Sequence, residues 1–115
     1  MARSQVEATL RHMGMQPLVL RPADDPIAAL ETGHPALAIV DLGVGSDRWR
    51  AIVAAAHTPR PPLSPVPVLA FGSHVDREAQ SEARAAGCDL VVANSRLARE
   101  LPTLVERLLK QGGSD

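Results

Sequence analysis

Cysteine and aromatic residues are scarce in this chain, which has one cysteine, one tryptophan, one phenylalanine and no tyrosine. A lone Cys88 cannot form an internal disulfide, and the four histidines show no zinc-type spacing with it. Neither a disulfide framework nor a metal site is expected, no other cofactor is suggested, and a reducing compartment fits best. Charge of one sign is also lacking: 12 Lys and Arg stand against 13 Asp and Glu, for a net charge of -1. No strong field attracts nucleic acid or anionic lipid, so neither is an expected partner. No apolar run approaches the ~20 residues of a membrane span, and Met1 to Glu7 lack the apolar core of a secretory signal. The expectation is a cytoplasmic protein without a membrane partner.

What is present suits one compact domain. The chain has 115 residues, 45% of them apolar and 22% charged, which is ordinary for a single soluble domain. Residues 1–110 are assigned to that domain and 111–115 to a flexible tail. Ser4 followed by Glu7 reads as a capping box, and Val6, Leu10 and Met13 then recur at helical spacing until Gly14. Pro17 to Leu20 reads as a short strand. Asp24 or Asp25 then caps a helix that has Pro26 near its first turn and runs to about Gly33. Residues 36–41 form a strand, Gly43-Val44-Gly45 a turn, and Trp49, Ile52, Val53 and Ala56 the inner face of a helix capped by Ser46 or Asp47.

Five prolines between residues 58 and 67 make an extended connection. Residues 66–71 read as a strand, and Val75, Ala79, Ala83 and Ala86 as a helix ended by Gly87. Residues 90–93 are a final strand, and a last helix starts near Pro102. A helix followed by about four strand-helix units predicts an α/β fold, a parallel sheet covered on both faces.

Asp41 closes the apolar run Ala36-Leu37-Ala38-Ile39-Val40, at the carboxyl end of a strand, where open α/β sheets place their chemistry. Together with Pro65-Val66-Pro67-Val68-Leu69-Ala70 and Ala83-Arg84-Ala85-Ala86-Gly87-Cys88-Asp89, this order of segments resembles the bacterial two-component receiver family. The resemblance covers nearly the whole chain. It implies a flavodoxin-like, three-layer fold, with Asp41 in the position of the phosphoacceptor. It also implies losses. The family's strand-end hydroxyl falls on Ala70, its phosphate-pairing lysine on Asn94, and its switch aromatic near Val91. The family's first strand, whose end carries the magnesium-binding acidic pair, has no counterpart before the opening helix.

Asp24-Asp25-Pro26 imitates that acidic pair only 16 residues before Asp41, too few for the crossovers involved, since one βαβ unit alone takes ~30 residues. A helix cap is the simpler reading. Phosphoryl transfer needs positioned cations, so Asp41 is expected to be a poor acceptor.

Other residues have plainer roles beside their functional ones. Ser73 and His74 open a helix at the same sheet edge and form a candidate anion site, or else Ser73 is a helix cap and His74 a surface residue. Trp49 is core packing or an interface anchor, and Cys88 a small buried residue. The Gly43-Val44-Gly45-Ser46 turn is too short for a nucleotide fingerprint. His34, His57 and His74 lack the context of a cobalamin loop. In receivers the face of the fourth helix, fifth strand and fifth helix carries partner contacts, which by resemblance assigns Arg77, Arg84, Arg96 and Arg99 to an interface.

The resulting expectation is a degenerate receiver that binds a protein partner and is not an enzyme. One alternative is a genuine receiver with an N-terminally truncated sequence and a phosphorylated Asp41. Another is a small structural subunit of an assembly. Without the family's central strand, either residues 18–20 pair directly with residues 36–41, or a strand from a partner or a second copy in a homodimer fills the slot.

Overall fold

The structure, a computed structural model, describes residues 3–20, 23–58 and 65–112. Helix α1 (Arg3–His12) turns Val6 and Leu10, one helical turn apart, into the core. Gly14, at φ +83°, then reverses the chain so that Met15 N–H reaches Leu10 O at 2.9 Å. Ser4 lies inside the first turn of α1 rather than capping it. Residues 15–20 adopt no regular structure and pair with nothing in the sheet, so the strand expected over Pro17 to Leu20 does not form. Pro17 has no N–H to give a ladder.

Helix α2 (Pro26–Gly33) begins as its sequence suggests, with Asp25 Oδ1 accepting from Ile27 N–H at 3.0 Å and Pro26 in the first turn. It ends on His34, in the left-handed region at φ 45°, whose N–H closes on Leu30 O. Strand β1 (Ala38–Asp41) leads into a single 3-10 turn, Leu42–Val44, and then helix α3 (Ser46–His57). The residue before α3 is Gly45, at φ 103°, so neither Ser46 nor Asp47 is its cap. Of the proline-rich connection, residues 59–64 lie outside the described residues.

Strand β2 (Val68–Gly72), helix α4 (Arg77–Ala85) and strand β3 (Leu90–Ala93) follow. The last helix, α5 (Asn94–Gly112), starts eight residues before Pro102 instead of near it. Leu97 and Leu101, both fully buried, extend its apolar stripe back to the end of β3. Pro102 and Ala98 are exposed, so the carbonyl that the proline ring deprives of a donor faces water and the helix survives. α5 also takes in Gln111 and Gly112, assigned above to a tail.

The described residues form one parallel sheet of three strands in the order β1-β2-β3, not four. Alternate residues of β2 serve opposite sides. Val68 and Ala70 join Trp49, Val53, Ala56 and Ala83 in one cluster, while Leu69 and Phe71 join Val6, Leu10, Leu97, Leu101 and Leu104 in another. All five residues of β2 are buried, which explains its unbroken apolar sequence. Among the described residues no helix is long and apolar enough to cross a membrane.

Asp89 ties the amino end of the sheet together. Its Oδ2 accepts from Val68 N–H at 2.7 Å and lies 3.1 Å from His57 Nε2, joining α3, β2 and the start of β3. Its own N–H donates to Val68 O at 3.0 Å, so its carboxylate continues the β2–β3 ladder by one bond. Replacing Asp89 by Ala leaves the Val68 N–H without a partner, and chemical denaturation should show a loss of ~1–3 kcal/mol. Asp89→Asn, which keeps an acceptor, should lose clearly less.

Candidate functional site

The carboxyl end of the sheet gathers the turn after β1, the loop after β2 and the starts of α3, α4 and α5. Asp41 ends β1 there and is exposed. Its Oδ1 accepts from Gly43 N–H at 2.8 Å, which holds the 3-10 turn. A Cβ on Gly43 would stand 3.1 Å from that oxygen, so glycine is what permits the close approach. Among the described residues, no basic side chain forms a salt bridge with Asp41.

The register sets Asp41 beside Phe71, and Gly72 ends β2 one step further on. A Cβ on Gly72 would lie 3.3 Å from Leu42 Cβ, and Leu42 itself is buried. The hydrocarbon of Leu42 thus covers the mouth of β2 next to Asp41. Ala70, matched above to the strand-end hydroxyl, is paired with Val40 and fully buried in the α3-side cluster. It is not brought to the Asp41 end. Gly72 holds the terminal position, and neither residue carries a hydroxyl. Asn94 opens α5 directly after β3, half-buried, and Val91 is buried in the same cluster as Trp49.

Ser73 and His74 occupy a turn, not the helix start. Ser73 Oγ accepts from Val75 N–H at 3.4 Å and its carbonyl from Gln80 Nε2 at 2.9 Å. The cap of α4 is Asp76, whose Oδ1 accepts from Ala79 N–H at 3.1 Å. A carboxylate already occupying the helix N-terminus opposes a bound anion there. Asp76, Glu78 and Glu82 also line a cleft of about 250 Å³ with Leu42, Ser46, Trp49 and Ala79. Arg50 pairs with Glu82 at 2.9 Å and stands 4.8 Å from the Trp49 ring centroid. Three carboxylates against the Arg50 guanidinium make this cleft unfavourable for phosphate. Sequence reasoning missed both this cleft and the Leu42 cover, although Asp76 with Glu78 is an acidic first-turn pattern visible in the sequence.

Arg48 Nη1 donates to Asp24 O at 3.0 Å and so holds the Asp24-Asp25 pair near the start of α3. Asp25 is committed as the cap of α2. Among the described residues no three His, Cys, Asp or Glu side chains gather as metal ligands. Trp49, 1% exposed, is core and cannot anchor an interface.

Arg77 opens α4 at the carboxyl end of the sheet, whereas Arg84, in its last turn, lies ~10 Å further along the helix axis. Arg96 and Arg99 sit in the first two turns of α5, back at the carboxyl end, and both approach Glu100, at 3.3 and 3.7 Å. No protein-family model matches the chain, and no curated protein matches it significantly.

Cys88, half-buried at the other end of the sheet, has its thiol pushed up to about 11, mainly by burial and secondarily by the adjacent Asp89 carboxylate. Thiolate is the reactive form, so alkylation of native protein near neutral pH should be much slower than of denatured protein. The stability consequence has a definite sign. Below pH 9 the thiol is protonated in both states and its contribution is fully present. Between pH 9 and 11 the unfolded chain ionises first, so stability should fall as pH rises. Cys88→Ala should remove that part of the decline in a denaturation series against pH.

Proposed function

We propose that this chain is a receiver-like domain of flavodoxin-like, three-layer type that works as a protein–protein interaction or regulatory module and does not transfer phosphoryl groups. The supporting observation is the state of the acceptor end. Asp41 Oδ1 is held by Gly43 N–H, and Leu42 packs over Gly72 where a donor to an equatorial phosphate oxygen would be needed. Phosphoryl transfer depends on donors and cations aimed at those oxygens. Here the adjoining cleft presents Asp76, Glu78 and Glu82 instead.

The exposure of Asp41 favours a second reading, a genuine phosphoacceptor completed by a strand outside this sequence. The two separate in one experiment. Protein incubated with magnesium and a small acyl-phosphate donor, then read by intact mass, should show no added phosphate. A stoichiometric adduct lost in Asp41→Asn would establish the second reading.

A partner-binding module needs a face, and Arg96 and Arg99 at the start of α5 supply the planar donors that suit one. Pull-down from the native cell with wild type and with the Arg96→Glu, Arg99→Glu double variant should show capture weakened ~tenfold or more, about 1.4 kcal/mol. Unchanged capture of every partner would exclude this face.

A further inference from the structure

Strand β1 carries the sequence of an interior strand at the edge of the sheet. Only β2 pairs with it among the described residues. Ala38 N–H donates to Pro67 O at 2.9 Å, so Ala38 and Val40 turn their backbone groups towards β2. The backbone groups of Leu37, Ile39 and Asp41 therefore point the other way. None of the devices that guard natural edges is built into residues 36–40: no lysine, no inward charge, no proline. Side chains on both faces are apolar, with Ala38 and Val40 in one cluster and Leu37 and Ile39 in the other.

Among the described residues between α1 and α2, none pairs with this edge. α1 packs with α5 and α2 with α3, the partners of opposite clusters. A Cβ on Gly33 would meet Leu18 Cδ2 at 2.9 Å, which places Leu18 beside the end of α2, ahead of the run leading into β1. Leu18 is 64% exposed there, and Val44, just past the other end of β1, is 54% exposed.

We propose that the outer edge of β1 is a self-association surface, occupied by the same strand of a second copy in antiparallel pairing about a twofold axis at Ile39. The outward-facing set is symmetric about that residue. Ile39 meets Ile39 of the second copy as a hydrogen-bonded pair, and each Asp41 N–H meets the opposing Leu37 carbonyl, giving about four backbone bonds. The charges permit it. The two Asp41 residues fall ~13 Å apart along the ladder, beyond the ~8 Å screening length at physiological salt. The exposed Leu18 end of one copy faces the exposed Val44 end of the other. A strand this short buries less than the ~1,200 Å² of a standard interface, so the dimer forms in a concentration-dependent way. The surface does not depend on the arginines of α5, and it rests on the reading in which no strand from outside this sequence completes the sheet beside β1.

The test is sedimentation velocity over a wide concentration series, with amide hydrogen exchange at its two ends. The mass should rise to that of a dimer, and the Ile39 and Asp41 amides should become protected as it does, while those of Ala38 and Val40 are protected throughout. Leu18→Lys, at an exposed position, should weaken association at least tenfold. Ile39→Pro, which removes an outward N–H and no bond to β2, should abolish it. If Ile39→Pro fails to fold by circular dichroism, the exchange pattern and Leu18→Lys decide. A monomer at every concentration overturns the proposal. So does a dimer that leaves the Ile39 and Asp41 amides exchanging at monomer rates. Protection of those amides in the monomer also overturns it, because the chain would then close its own edge.

Discussion

Burial of β2 on both faces and both edges is the constraint on which the rest of this molecule depends. Leu69 and Phe71 turn their backbone towards β1 and their side chains towards α1 and α5, while Val68 and Ala70 do the reverse towards β3 and α3. A slip of one residue would exchange the two sets and place Phe71 where Ala70 packs against Trp49 and Ala83. The small Ala70 and Ala83 on that side, and the larger Leu69 and Phe71 on the other, make the exchange sterically unacceptable. The same register sets Asp41 beside Phe71 and Gly72 beside Ala93, and so builds the carboxyl end of the sheet.

That end is filled with hydrocarbon and carboxylate. Leu42 closes over Gly72 because the 3-10 turn held by Asp41 Oδ1 folds the chain back across β2. One carboxylate thereby organises the turn whose next residue covers the neighbouring strand mouth. Asp76 performs the equivalent task for α4. Both acids of the Asp41–Asp76 rim thus have local structural work, and neither depends on a bound ion for a partner.

Much of the fold was legible in the sequence, and the exceptions have physical reasons. β1, β3, α2 and α4 follow from apolar runs bounded by Asp, Gly and Pro, and the Asp25 cap was visible as Asp-Pro. Pro17 to Leu20 looks like a strand by composition, but a strand exists only with a partner, and composition does not reveal whether one is in reach. The start of α5 was misplaced because Pro102 reads as a helix start. Its exposed position makes it tolerable mid-helix, and exposure depends on the phase of Leu97 and Leu101 relative to it. At the site, Asp41 was legible as a strand-end acid. The match of Ala70 to a strand end was two residues early, since β2 runs to Gly72, and the contact of Leu42 with Gly72 is a tertiary event without a local signature.

The two edges of the sheet are not equivalent, and the difference traces to where the helices lie. β3 has α4 against it on one side and α5 on the other, and α5 continues directly from its last residue. β1 is followed at once by a turn that bends over β2, away from its own outer edge. Leu18, set against Gly33 at the end of α2, is mostly in solvent. Edge strands in isolated proteins tend to be short, charged or covered. β1 is short and carries a charge only at its last residue, Asp41, while residues 36–40 have the uncharged, two-sided apolar pattern of a strand flanked on both sides. Among the described residues that pattern meets a single paired neighbour, so the open backbone groups of β1 lie on the side of the sheet opposite to β3.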